Sequence, residues 1–195
     1  MEGNSIKMKK IVLFASGNGS NAEAIIRYLD HQSTATVAAI FSNKVDAKVL
    51  DRAKNHGIPS VVFTKAQLNE TFVLEQLQQL QPDLIVLAGF LLKFPESILS
   101  EFPKVINIHP ALLPKYGGKG MYGRHVHQAV LDNKEKETGI TIHYVNEHYD
   151  EGKFIFQKAV NIKDCKTVEE IAQKVHELEH QYFPRVIFEV LNSKF

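Results

Sequence analysis

Short apolar runs alternate with segments of helical spacing along the first half of the chain. Continuous apolar or β-branched runs that end at turn residues predict buried strands over residues 10–15, 36–43, 60–64 and 83–90. Between them, apolar residues three or four positions apart predict helices that begin near Ser20 and span 46–57 and 69–80. Because strands that alternate with helices form parallel βαβ units, this half predicts a Rossmann-like, doubly wound and mostly parallel α/β sheet.

The second half of the chain has a less regular pattern that predicts antiparallel strands. A short strand over 104–110 is stopped by Pro110, and a glycine-rich loop on the surface follows it. Two further strands, over 138–145 and 153–162, are expected to pair antiparallel across the polar turn 146–152. Apolar and polar residues alternate in the first of the two, which predicts a half-exposed strand.

Two helices complete the pattern of the second half. The first is predicted over residues 125–132, and a long amphipathic helix over 167–191 closes the chain. Thr167 and Glu170 stand at the spacing of a capping box at the start of the long helix. Pro184 is expected to kink or interrupt this helix because proline removes a backbone donor.

Length and composition place the chain among ordinary globular proteins. A chain of 195 residues predicts one domain, with residues 1–9 as a flexible extension. A net charge of +1 argues against a nucleic-acid partner, and no apolar run approaches the roughly 20 residues that span a membrane. We therefore expect a cytoplasmic protein. The single cysteine, Cys165, excludes an internal disulfide and a cysteine-based metal cluster.

The stretch "SGNGSN", residues 16–21, interrupts the first strand and begins the first helix. A strand that runs into Gly-x-Gly and then a helix brings backbone N–H groups and the positive helix end to one point. This arrangement is typical of an anion site, to which Ser20 and Asn21 would add side-chain donors and helix caps. A tight turn without a ligand remains an alternative for this stretch.

The same turn partly matches the dinucleotide-binding fingerprint. Gly17, Gly19 and Ala22 fit the spacing G-x-G-x-x-G/A. Ser42 and Asn43, however, stand at the end of the second strand, where that fingerprint requires an acidic residue for the ribose hydroxyls. The pattern therefore favours a single phosphate over a dinucleotide, and the triphosphate-binding motif G-x-x-x-x-G-K-[ST] does not occur in the sequence.

The candidate chemistry lies in the second half. Asn107 and His109 are two positions apart on a predicted strand, so both side chains project from one face. Together they can hold the oxygen of a carbonyl group whose carbon is becoming tetrahedral. Asp150 lies in the polar turn. If that turn folds back beside the strand, the carboxylate would lie near the imidazole and raise its pKa. A polar pair at a strand end and an ordinary turn residue are the alternatives.

The histidines of the second half also suggest a metal site. His125, His127, His143 and His148 form the densest group, but their spacing matches no zinc-enzyme motif. We therefore expect no metal. A serine hydrolase is equally disfavoured because G-x-S-x-G does not occur in the sequence.

Three stretches together, "SGNGSNAEAI", "VINIHPALLPKYGG" and the turn of Asp150, resemble the family of 10-formyltetrahydrofolate-dependent formyltransferases over about residues 10–191. The first turn resembles the branch that formylates glycinamide ribonucleotide in purine biosynthesis. The resemblance implies the formyltransferase fold, a monomer or homodimer, and 10-formyltetrahydrofolate as co-substrate without a metal or nucleotide cofactor. It also implies direct attack of the substrate amine through a tetrahedral intermediate.

The resemblance implies roles for particular residues. The substrate phosphate would be bound by Gly19, Ser20 and Asn21 in a phosphate-binding half, 10–105. Asn107, His109 and Asp150 would form the catalytic set of a catalytic and folate-binding half, 106–195, in which Glu179 would contact the glycinamide or ribose end. The implied folate-binding residues are Phe90, Leu91, Leu92, Lys93, Phe94, Asn107, Asn146, Glu147, His148 and Asp150.

The chain departs from the family pattern at three places. Lys93 stands where many relatives have Arg, Glu151 stands where Gly is more usual, and the loop 117–123 is longer than in short relatives. The family also has a cis peptide whose counterpart here is Leu113-Pro114. Two alternatives stay open: a formyltransferase for an amino-sugar nucleotide, and a non-catalytic phosphosugar-binding protein of the same fold.

Overall fold

A computed structural model describes residues 7–192 of the chain. Its backbone divides into two compact units, Met1–Phe90 with Ile187–Phe195 and Leu91–Val186. Residues 1–6 of the expected flexible extension lie outside the described residues, and Lys9 begins the first strand. The expectation of a single domain stays a prediction. Within the described part of the chain, no helix combines the length and apolar character needed to cross a membrane.

The first unit is a parallel α/β unit, as its strand and helix alternation predicts. Its strands are β1 (Lys9–Phe14), β2 (Ala35–Ser42), β3 (Ser60–Val62) and β4 (Leu84–Leu87). Its helices are α1 (Ser20–Leu29), α2 (Lys48–Asn55), α3 (Lys65–Asn69) and α4 (Phe72–Leu80). The strands lie in the order β3-β2-β1-β4, and each neighbouring pair is parallel, which confirms the predicted parallel sheet of the N-terminal half.

Aromatic side chains form the centre of the first unit's core. The rings of Phe14 and Phe41 stack with their centroids 4.9 Å apart, and Phe63 and Phe90 pack edge-on or tilted against this pair. Burying one such side chain stabilises the fold by about 1.5–3 kcal/mol. The core therefore holds β1, and with it the turn that follows Phe14, in a fixed position.

The helix predicted over 69–80 is present as α4, and a separate short helix, α3, precedes it. Thr64 forms a capping box, in which the Gln67 N–H donates to Thr64 Oγ1 at 3.2 Å and the Thr64 N–H donates to Gln67 Oε1 at 2.8 Å. This box begins the short helix α3, and α4 follows separately. The sequence pattern did not predict α3, because the signal of this helix is a local cap and not a periodic apolar face.

The second unit is built on antiparallel strands. Its strands are β5 (Val105–His109), β6 (Glu137–Tyr144) and β7 (Phe154–Asn161), and its short helices are α5 (Glu96–Glu101) and α6 (Arg124–Asp132). Strand β6 lies between β5 and β7 and is antiparallel to both. The predicted antiparallel strands of the C-terminal half are therefore confirmed.

The expectation that β6 is half exposed is wrong. Residues 138–143 of this strand are all buried, although polar and apolar residues alternate along it. Thr141 explains why the alternation misleads, because its hydroxyl donates to the Ala111 carbonyl and accepts from the Leu113 N–H and the Gln157 amide at 2.7–3.0 Å. Because the Thr141 hydroxyl has these three partners, burying it does not cost the desolvation penalty that an unpaired polar group would have.

The long helix α7 spans Val168–Asn192. Thr167 and Glu170 form the predicted capping box, with the Glu170 N–H 3.2 Å from Thr167 Oγ1 and the Thr167 N–H 3.1 Å from Glu170 Oε2. Pro184 lies inside the helix, which continues through it, so the expected interruption is wrong. A kink at this position stays a prediction. The peptide Leu113-Pro114 is cis, as the resemblance implied.

Candidate active site

The glycine turn between β1 and α1 is shaped by Gly19. This residue is the N-cap of α1 and adopts the left-handed conformation, with φ 73° and ψ 26°. A Cβ placed on Gly19 would lie 2.5 Å from Val49 Cγ2 and 2.9 Å from Val49 Cα. Glycine is therefore required here for two reasons. The backbone is left-handed, and the close approach of α2 leaves no room for a Cβ.

Ser20 and Asn21 are the first residues of α1. The expectation that their side chains cap the helix is wrong, because the N-cap is Gly19 and no side-chain cap bond is formed. The backbone N–H groups of a helix's first turn have no acceptor within the helix, and they carry the positive end of its dipole. The turn therefore offers backbone donors of the kind that bind a phosphate.

Asp150 meets His109, as the sequence analysis anticipated for a turn that folds back on the strand. Asp150 Oδ2 lies 3.5 Å from His109 Nδ1, and Asp150 Oδ1 lies 3.6 Å from Nε2 of His143. Asp150 Oδ2 also accepts a hydrogen bond from the Gly118 N–H at 2.9 Å. The carboxylate is thus shared between two imidazoles and a backbone amide.

Burial sets the protonation of His109. Its side chain is only 4% exposed, and Nε2 donates to the carbonyl of Tyr116 at 2.7 Å. Burial lowers the pKa of His109, while the charge of Asp150 and the Tyr116 carbonyl raise it by less, so the pKa lies below its ordinary value. The expected increase from Asp150 is present, but the expected net direction is wrong because the ring is so deeply buried.

The pKa of Asp150 is also lowered. Burial acts to raise it, but His143, His109 and the Gly118 N–H together favour the ionised form more strongly. Asp150 therefore remains a carboxylate at neutral pH. A neutral imidazole beside a carboxylate is the resting arrangement of this pair.

Asn107 and His143 face each other across the β5–β6 ladder. The two residues are register partners, and Asn107 Nδ2 lies 3.2 Å from His143 Nε2. His143 Nδ1 is also 2.8 Å from the Tyr144 carbonyl, which can only accept, so Nδ1 donates there. The sequence pattern suggests His143 only as a candidate metal ligand, because its pairing with Asn107 depends on strand register.

The turn that carries Asp150 depends on Gly152. A Cβ on Gly152 would lie 1.6 Å from the carbonyl oxygen of Tyr144, a distance that no side chain can adopt. The backbone at Tyr144 and Lys153 is joined here by a hydrogen bond of 2.9 Å. Asp150 itself has a left-handed backbone, with φ 58°. The glycine therefore closes the turn that directs Asp150 toward His109.

Glu179 is a buried acid on α7, with 5% of its surface exposed. It accepts a hydrogen bond from His176 Nδ1 at 2.9 Å, and this bond raises the pKa of His176 although burial opposes the change. The charge of Glu179 also acts on His109 and on His127, a ring 4% exposed whose Nδ1 has no partner among the described residues. The acid therefore belongs to the electrostatic surroundings of His109.

The segments with an implied folate role present few apolar side chains to solvent. The ring of Phe90 packs against Phe14 with centroids 5.4 Å apart, and Phe94 is buried. Leu91 and Lys93 are exposed. Leu92 in the same segment is half-buried. In the turn 146–150, Asn146 is half-buried, whereas Glu147 and His148 are exposed. A contact of Phe90 with folate would therefore use its backbone.

The described part of the chain contains no group of three or more His, Cys, Asp or Glu side chains that could hold a metal ion. Among the densest histidines, His125 and His148 are exposed while His127 and His143 are buried.

Comparison with known proteins gives a consistent result. A family model described as formyl transferase matches residues 9–187. A phosphoribosylglycinamide formyltransferase of Bacillus subtilis is 41% identical over 191 residues, which cover 94% of this chain and 95% of that protein. A chloroplastic protein of the same name from Arabidopsis thaliana is 39% identical, and the chain spans 65% of its length.

A solved structure extends the comparison to the backbone. The crystal structure of phosphoribosylglycinamide formyltransferase from Bacillus halodurans superposes with a TM-score of 0.86 and 34% identity. The match covers 95% of this chain and 96% of that one. The chain therefore has the fold of that structure, and the fold implied by the sequence resemblance is confirmed.

Proposed function

Because the chain belongs to the formyl transferase family, we propose that it transfers the formyl group of 10-formyltetrahydrofolate to the primary amine of glycinamide ribonucleotide in purine biosynthesis. The observation that carries the proposal is the cluster of Asn107, His109, His143 and Asp150 in a chain that matches named relatives along nearly its whole length. The relatives described above support neither alternative, an amino-sugar-nucleotide formyltransferase or a non-catalytic phosphosugar-binding protein.

The glycine turn is proposed to bind the phosphate of the substrate. The left-handed Gly19 and the first-turn N–H groups of Ser20 and Asn21 are the donors that an anion requires. A monoester phosphate is a suitable ligand because Ser42 and Asn43 stand at the end of β2, where a dinucleotide site would have an acidic residue for the ribose hydroxyls. Glu179 is proposed to hold the glycinamide or ribose end of the same substrate.

The reaction is a direct transfer. The neutral amine of the substrate attacks the formyl carbon, forming a new C–N bond and a tetrahedral oxyanion. The bond from that carbon to N10 of the folate then breaks, and the proton lost by the attacking amine ends on N10. We propose that Asn107, whose amide carries a second N–H beyond the one that faces His143, donates to the oxyanion.

His109 is proposed to stabilise the same oxygen. Its Nε2–H is held by the Tyr116 carbonyl in this structure and becomes available to the oxyanion when that carbonyl moves away. Negative charge on the formyl oxygen favours a protonated ring, and Asp150 beside Nδ1 favours it further. The pair can therefore accept the proton of the amine and pass it to N10.

The folate is proposed to lie against the segment 90–94 and the turn 146–150. Leu91 and Lys93 are the exposed side chains of the segment 90–94. In the turn, Asn146 Oδ1 accepts a hydrogen bond from the His148 N–H at 3.0 Å. Lysine at position 93 offers a point charge where a planar guanidinium would offer a fork, so any side-chain contact there is monodentate.

The test is an assay of tetrahydrofolate release with glycinamide ribonucleotide and, separately, with amino-sugar nucleotides as acceptors. We expect turnover with the ribonucleotide, and a loss of about 10²- to 10³-fold in kcat for His109→Ala. His31→Ala, which replaces an exposed histidine of the first unit, is the matched control. Turnover only with an amino sugar, or near-normal turnover of His109→Ala, would contradict the proposal.

A further inference from the structure

Helix α2 supplies donors to the glycine turn. The Val49 N–H donates to the Gly17 carbonyl at 3.1 Å. Arg52 donates twice to Asn18, from Nε to the backbone carbonyl at 2.8 Å and from Nη2 to Oδ1 at 2.7 Å. Two consecutive carbonyls of the turn and one side chain are therefore bound by the same helix.

The bound carbonyls determine where the N–H groups of the turn point. In a planar trans peptide the N–H points opposite to the C=O of the same unit. The peptide whose carbonyl belongs to Gly17 carries the Asn18 N–H, and the next peptide carries the Gly19 N–H. Because α2 binds both carbonyls, both N–H groups point away from α2, as an anion site made of backbone donors requires.

Arg52 is itself held in place by an ion pair. Its Nη1 lies 3.5 Å from Glu23, a residue of α1 that also contacts Arg27 at 2.7 Å and His56 at 3.0 Å. Burial acts to raise the pKa of Glu23, but Arg27 and His56 lower it to about 2. The glutamate is therefore ionised at neutral pH. It lies on α1, the helix that begins at the turn, and its ion pair restrains the Arg52 guanidinium.

We propose that Arg52 is a positioning residue for the substrate phosphate. It acts through Asn18, fixing the glycine turn so that its N–H groups are preorganised for the anion. The inference rests on the proposed function for the assignment of the phosphate to this turn. Lysine is not an equivalent, because a single ammonium on a flexible stem does not reproduce the two bonds of the planar fork.

The test compares Arg52→Gln and Arg52→Lys with Arg27→Gln. Arg27 is the matched control because it pairs with the same glutamate and, within the described part of the chain, has no hydrogen bond to the turn. We expect both Arg52 variants to raise KM for glycinamide ribonucleotide about tenfold, the effect of losing charge-assisted hydrogen bonds. We expect kcat and KM for the folate to stay within about twofold, and Arg27→Gln to match the unchanged protein.

A binding experiment provides a readout that does not depend on catalysis. Inorganic phosphate is titrated while the NMR shifts of the Gly17 and Gly19 amides are followed, and Arg52→Gln should weaken this binding by a similar factor. Asn18→Ala removes the bond from Nη2 but keeps the bond from Nε to the backbone carbonyl, so it should have a smaller effect. Adding it to Arg52→Gln should weaken binding no further, since Arg52→Gln already removes both bonds.

Three results would overturn the inference: an unchanged KM for the ribonucleotide in both Arg52 variants, equal increases in both KM values, or additive effects of the Arg52 and Asn18 substitutions. If Arg52→Gln does not fold, Arg52→Lys decides, because it keeps the charge and most of the aliphatic stem. If the unchanged protein binds phosphate at the turn but does not formylate glycinamide ribonucleotide, the proposed function fails while the role of Arg52 stands.

Discussion

Asp150 Oδ2 lies 3.5 Å from His109 Nδ1, in a site where burial lowers the pKa of the imidazole and the carboxylate only partly offsets that effect. The pair is therefore balanced between two opposing influences. A small change in either one shifts the proton affinity of His109 in a known direction.

Replacing Asp150 with Asn should lower the pKa of His109 further. The amide has a similar shape but removes the negative charge that favours the imidazolium, so burial acts with less opposition. We expect kcat to fall about 10²-fold or more. An NMR titration of the His109 ring measures the pKa, and Glu151→Gln, an exposed neighbour, is the control. An unchanged or increased pKa would show that the charge is not coupled to the ring.

The stability of the fold should decrease as pH falls from about 7 to 5. Burial lowers the pKa of both His109 and His127 below the unfolded value of about 6.5. At pH values between the folded and unfolded pKa values, the unfolded chain binds more protons than the folded chain. The free energy of unfolding therefore decreases as the pH decreases through this range. His176, whose pKa Glu179 raises, acts in the opposite direction.

His127→Asn isolates one part of this dependence. The variant removes a buried titrating ring and should flatten the change in unfolding free energy between pH 7 and 5, measured by urea denaturation. His31→Asn replaces an exposed ring and should leave the slope close to that of the unchanged protein. A slope that is identical in all three proteins would rule out His127 as a source of the pH dependence.

Gly152→Ala should displace the turn that carries Asp150. The new Cβ would lie 1.6 Å from the Tyr144 carbonyl, so the backbone has to move. We expect a loss of about 3 kcal/mol in unfolding free energy, together with reduced kcat. Denaturant unfolding and the tetrahydrofolate assay measure the two effects, with Glu151→Ala as the adjacent control. If the variant had wild-type stability, the turn would accommodate a Cβ at position 152, and the prediction would be wrong.

Gly19→Ala should weaken binding of the ribonucleotide without a matching effect on the folate. Alanine at φ 73° is strained, and its Cβ would lie 2.5 Å from Val49. We expect an increase in KM for the ribonucleotide of about tenfold or more. Gly17→Ala is the comparison, because a Cβ there meets nothing within 4 Å, and it should have a smaller effect. Equal effects of the two substitutions would argue against a special role of Gly19.

The sequence predicted much of the fold because its strongest patterns are local. The apolar runs of β1 and β4 and the Thr167 capping box each report on a few neighbouring residues. Helix α3 was missed because its signal is a cap at Thr64 rather than a periodic apolar face. The burial of β6 was missed because it depends on partners for Thr141 that are distant in sequence.

The candidate site shows the same division. The spacing of Asn107 and His109 predicted a shared strand face, and the structure adds His143 as the partner that orients Asn107. That partner follows from the register of two strands, which no local motif encodes. The net pKa direction of His109 depends on the burial of its ring in the folded chain, so the neighbouring carboxylate alone predicted the wrong sign.

The division of the chain into two units has a consequence for how specificity can evolve. The residues proposed to bind the phosphate lie in Met1–Phe90, whereas Asn107, His109, Asp150 and Glu179 lie in Leu91–Val186. Mutations in the turn around Gly19 therefore alter the proposed phosphate contacts without replacing any residue proposed to act in the formyl transfer. Substitutions that change how the phosphate of the acceptor is bound and substitutions that change the reaction chemistry thus fall at separate positions in the gene.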